Sequence, residues 1–142
     1  MKRNLITAFL ALFLFSFSAK AQINSGWEQV FLTVSGGNIL DGVEAWYQQD
    51  TCDGANVVYI RFVNTNPYSA QVSWNDGIFT QDEKWDWKLG TSDRKSVVIP
   101  AQVGIKGECT PENALTIKLS DFGIALSEFK RYGVQNFTVL GL

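Results

Sequence analysis

A chain of 142 residues with 12 basic and 14 acidic side chains, two cysteines, five tryptophans and no histidine suits one domain with a real core. Without His there is no Ser-His or Cys-His catalytic pair and no His-ligated zinc or haem. The acidic balance argues against nucleic acid and anionic membrane surfaces as partners.

The first 21 residues have the layout of a secretory signal peptide: a basic start at Lys2-Arg3, an apolar run from Leu5 to Phe17, and the small-x-small triplet Ala19-Lys20-Ala21 before Gln22. Its removal leaves nine bases against fourteen acids over residues 22–142, a net charge of −5. The product is expected to be exported, periplasmic or extracellular, with no membrane anchor after cleavage. Cys52 and Cys109 then read as one disulfide, as two cysteines in an oxidising compartment usually are. Chain entropy assigns such a long loop about 4 kcal/mol.

Beyond the leader the pattern is β. Gln29 to Ser35 places Val30, Leu32 and Val34 on one side and stops at Gly36-Gly37. Val43, Ala45 and Tyr47 form one face of the next run, and a polar loop is expected from Gln49 to Gly54. Asn56 to Asn64 is β-branched and aromatic on both faces apart from Arg61, the signature of a central strand. After the Asn64–Pro67 turn, Tyr68, Ala70, Val72 and Trp74 alternate with polar residues, and Asp76-Gly77 reads as a hairpin turn. Lys95–Pro100, Ala101–Lys106, Ala114–Leu119 and Val134–Leu140 are further strands. Asp121 to Arg131 reads equally as a helical turn or a bulged strand. About eight short strands at this spacing predict a single-domain antiparallel β-sandwich over 22–142.

The segment Gln81–Leu89 carries the candidate site. As a strand it places Glu83, Trp85, Trp87 and Leu89 on one face and Asp82, Lys84, Asp86 and Lys88 on the other. Three readings stand: both indoles in the core, an aromatic platform for sugars, or a protein-partner interface, where exposed Trp is a common hot spot. Sugar rings stack their C–H faces on indole and bond their hydroxyls to acids, here Glu83. The i, i+2 spacing of about 7 Å would set two indoles along one polysaccharide chain. Acid at the rim would favour neutral or basic polymers. Asp82, Glu83 and Asp86 would also serve glycoside cleavage if two converged at the right separation. Calcium would have to come from Asp50, Asp53 and Asp76, without EF-hand spacing.

Other matches carry little. Ser92–Lys95 and Ser127–Lys130 fit S-x-x-K, and Asp121-Phe122-Gly123 spells the kinase DFG, but the companion motifs are missing. No metal or cofactor is implied.

Asn56–Trp74, with its Asn64-Thr65-Asn66 turn, then Lys95 to Cys109, with its V-x-I-P stretch before Gly107 and Cys109, and a terminal strand together resemble small exported immunoglobulin-like or fibronectin-III-like sandwich proteins of Gram-negative bacteria. The resemblance implies an immunoglobulin-like fold and no established activity. The expectation is a non-enzymatic exported module binding a protein or neutral glycan at the cell envelope. The alternatives are a structural accessory of an envelope assembly and a small carboxylate-dependent carbohydrate-processing enzyme.

Overall fold

Three Asp-Gly pairs punctuate the chain, and the computed structural model, which describes residues 26–110 and 112–142, uses two of them as tight turns. Asp41-Gly42 joins β3 (Ile39–Leu40) to β4 (Val43–Cys52), and Asp53-Gly54 joins β4 to β5 (Ala55–Asn64). All four residues have positive φ, the backbone that lets a two-residue hairpin follow strand twist. The polar loop expected over 49–54 is therefore mostly strand, with only Asp53 and Gly54 turning. The expected leader and its expected cleavage point before Gln22 lie outside the described residues.

The third pair, Asp76-Gly77, sits inside β6 (Ala70–Thr80) and makes no hairpin. Asp76 is 4% exposed and fully partnered. Its carboxylate accepts from Trp74 Nε1 at 2.8 Å and the Tyr132 hydroxyl at 2.6 Å, and pairs with Lys95 Nζ at 2.7 Å. Those donors satisfy the charge within the strand, so the turn propensity of Asp is overridden.

Two sheets result, and the fold is all-β. In the first, β4 and β5 are central; β1 (Glu28–Gln29) and β3 lie along β4, and β9 (Gly104–Lys106) and β10 (Thr116–Lys118) along the other edge of β5. In the second, β6 pairs antiparallel with β11 (Phe129–Gly141). There β2 (Phe31–Leu32) runs parallel to β11, while β7 (Trp85–Trp87) and β8 (Lys95–Ile99) share the far edge of β6. The run expected as one strand over 29–35 is thus split: the chain changes sheet at buried Val30. It turns after Leu32, where the Gly36 N–H bonds back to the Leu32 carbonyl, and Val34 is left outside.

Alternation decides which side chains meet between the sheets. Val43, Ala45 and Tyr47 of β4 and Val58, Ile60 and Phe62 of β5 face Val72, Trp74 and Ile78 of β6 and Tyr132 and Val134 of β11. Phe62 packs edge-on to Trp74 with centroids 4.9 Å apart, and Tyr47 meets Tyr132 at 6.0 Å. On the outer side of β5, Val57 is buried and Tyr59, Arg61 and Val63 are half-buried, as a central strand requires. Cys52 and Cys109 form the expected disulfide, with Cα atoms 5.4 Å apart, tying the β4–β5 hairpin to the β9–β10 connection. The ambiguous segment 121–131 is both things in turn: 3₁₀ turns at Leu119–Phe122 and Leu126–Glu128, then the start of β11.

Candidate functional site

The strand expected over Gln81–Leu89 shrinks to Trp85–Trp87, because the preceding residues form the β6–β7 turn. The Thr80 N–H bonds to the Lys84 carbonyl, and Glu83 takes a positive φ. Glu83 therefore does not share a strand face with the tryptophans. It reaches them indirectly, through an ion pair with Lys130 at 3.5 Å, while the Lys130 ammonium lies 5.3 Å from the Phe79 ring.

Trp85 and Trp87 are not in the core. Their register partners are Phe79 and Gly77, which point away from the core residues Ile78 and Trp74, so the indoles lie half-buried on the outer face of the second sheet. What holds them there is a pair of glycines. Gly77 of β6 is directly opposite Gly133 of β11, and Gly133 is opposite Phe31 of β2. A methyl on Gly77 would collide with Cε3 and Cζ3 of Trp87; one on Gly133 would come within 2.6 Å of Trp85 Cη2. The missing side chains leave a trough across two strands, and both indoles lean into it.

That shared trough changes their relation to each other. Centroids lie 4.4 Å apart with planes at 15°, an offset stack, instead of two rings spaced one sugar apart. Trp85 also stacks on Phe31 at 5.7 Å and lies against Phe79 at 5.0 Å. The Arg131 guanidinium sits 5.0–5.3 Å from Phe31, Phe79 and Trp85. With Glu83 matched to Lys130, Arg131 adds an unmatched positive charge beside the indoles, the opposite sign from the acidic rim expected from Glu83 alone.

Further along the same face the side chains turn polar. Gln71, Ser73 and Asn75 of β6 are neighbours of Ser96 on β8 and of Gln135 and Thr138 on β11. Gln71 and Ser73 both donate to Ser96 Oγ, at 3.0 and 3.1 Å. Arg94 donates to the Asn136 carbonyl and the Thr138 hydroxyl at 3.1 and 3.2 Å. Aromatic rings beside amides and hydroxyls are suited to stacking a sugar and bonding its hydroxyls.

The carboxylates do not assemble into a second centre of that kind. A cleft of about 220 Å³ between the sheets is lined by Asp76, Lys88, Asp93, Lys95, Asp121 and Phe122, among others, but not by Asp82, Glu83 or Asp86. Lys95 is committed to Asp76 at 2.7 Å and to the Ala114 carbonyl at 3.0 Å, partners other than Ser92. Asp93 accepts from the Gly90 N–H. Burial raises the Tyr132 phenol well above its usual range, helped by the charge of Asp76 and their hydrogen bond. Tyr47 is raised by burial and by its bond to Glu28 at 2.9 Å. Both phenols are thus held as neutral donors. Asp50 and Asp53 lie at the exposed end of the β4–β5 hairpin and Asp76 is buried in the second sheet, so these acids do not share a calcium loop. Asp53 does lie beside Cys52 and Cys109, whose sulfurs are bonded to each other.

No family model matches the chain, and no curated protein or solved structure is significantly similar to it. Sequence reasoning found Trp85 and Trp87 but missed Phe31, Phe79, Arg131 and the two glycines. An isolated Gly inside a strand pattern was the available signal for Gly77 and Gly133, since it often marks a close approach.

Proposed function

We propose that this chain is an exported, non-enzymatic module with an immunoglobulin-like sandwich, binding a glycan at the cell envelope through the outer face of its second sheet. The observation that carries this reading is the Trp85–Trp87 stack. Two indoles are held outside the core over Gly77 and Gly133, beside a strip of amides and hydroxyls. Both indoles are half-buried, and the parts left exposed offer a stacking surface for a ligand. Export is supported by the apolar leader, and the disulfide is compatible with an oxidising compartment. Pull-down with a panel of insoluble polysaccharides, wild type against Trp85→Ala, tests the reading. Retention of wild type and loss of a folded variant is the expected result; equal behaviour on every polymer overturns it.

A second reading is supported by the other edge of β11. Past Val134 no strand pairs with it among the described residues, and Leu140 is 60% exposed. An open edge of this kind suits a subunit of an envelope assembly that accepts a strand. Concentration-dependent self-association abolished by a proline at Val139 would favour it.

A further inference from the structure

We infer that the glycan bound at this face carries carboxylates and that Arg131 reads them. The inference rests on the glycan reading above and adds its chemical class: a uronate-containing chain.

Arg131 is opposite Phe79 across the β6–β11 pair and points outward with it. Its guanidinium lies near three rings at once, with Cζ 5.1 Å from Phe31, 5.0 Å from Phe79 and 5.3 Å from Trp85. Aromatic neighbours engage the charge and leave N–H donors unspent, since rings accept none of them in ordinary hydrogen bonds. Among the described residues no carbonyl or carboxylate takes those donors. This stands out in a chain with 14 acids. The nearby acid, Glu83, is matched to Lys130, and Arg94, the other arginine on this face, is anchored away from the indoles on Asn136 and Thr138. Arg131 is thus a cation oriented by rings, beside the indole pair on which a sugar would rest. A sugar ring stacked on indole projects its substituents outward along its rim, toward such donors. A carboxylate there meets the planar fork in two parallel, charge-assisted bonds, a bidentate geometry that a single hydroxyl cannot match. The ligand preference moves accordingly from neutral chains to acidic ones. An acidic peptide offers the same carboxylate but makes less use of the indole stack and the amide–hydroxyl strip, so the glycan is favoured.

Titration with polygalacturonate and with its methyl ester tests the inference, because esterification removes the charge and keeps the backbone. Wild type should bind the acid form at least roughly ten-fold more tightly than the ester, since even one charged hydrogen bond is worth that much. Arg131→Gln should erase that ratio, read as acid form against ester within the same variant so that any general loss of binding cancels. Arg131→Lys, which keeps the charge and loses the fork, should fall between them, and its thermal melt shows whether a loss is one of folding. Equal binding of both forms, unmoved by Arg131→Gln, overturns the charge inference and leaves the glycan reading standing. Binding of polyglutamate but of neither polymer overturns both. Failure of wild type to bind polygalacturonate while a neutral polysaccharide binds overturns the uronate assignment alone.

Discussion

Replacing Trp85 and Trp74 by alanine in parallel separates an indole held for a ligand from one held for the fold. Trp74 is 0% exposed, packs edge-on to Phe62 and donates to Asp76. Truncating it costs about 3–5 kcal/mol for the lost packing. A further 1–3 kcal/mol, roughly, follows from leaving buried Asp76 one donor short. Set against a domain stability of about 5–15 kcal/mol, that brings the variant to the edge of unfolding. Trp85 is half-buried on the outer face. A fully packed indole covers about 200 Å². Half of that, at about 25 cal/mol per Å², is worth about 2–3 kcal/mol. For a domain of this length that is a fall in Tm of roughly 10 °C with folding retained. Scanning calorimetry with urea titration measures both variants, an unchanged m-value showing that the same surface unfolds. If Trp85→Ala is as damaging as Trp74→Ala, the outer-face stack is a structural element and the argument for a ligand there fails.

Gly77→Ala should cost about 1–3 kcal/mol through overpacking and should weaken the near-ultraviolet circular dichroism of the stacked indoles. An unchanged spectrum would show that Trp87 does not depend on the trough. Reducing the disulfide, which spans 57 positions, should lower stability by at most about 4 kcal/mol, read from urea midpoints with and without reductant. In alkali the sign follows from the raised phenols of Tyr47 and Tyr132. Their contribution is complete below the ordinary tyrosine value of 10.0 and is lost as pH climbs above it, because the unfolded chain releases those protons first. Phenolate absorbance for these two groups should therefore appear together with unfolding; phenolate formation in the folded protein would refute the burial argument.

Much of this architecture is already written in local pattern. Alternation alone picked out Val43, Ala45 and Tyr47, the central strand at 56–64, and Trp74 as a core residue, because a pleated strand has a period of two whatever it packs against. The two cysteines likewise announced their bridge. The tertiary structure decided the rest wherever a local signal met a stronger distant partner. Asp53-Gly54 and Asp76-Gly77 carry the same turn propensity, yet only the first turns. The second is held straight by Trp74, Lys95 and Tyr132, the last of them 56 positions away along the chain. The same holds for the site. Trp85 and Trp87 were visible as a pair, but whether they faced core or solvent depended on Gly133 and Phe31 arriving from opposite ends of the domain. Arg131 gains its meaning in the same way. Period-two patterning fixes which residues share a face, whereas pairing between remote strands fixes which faces meet, and that pairing is a balance of contacts no single segment contains.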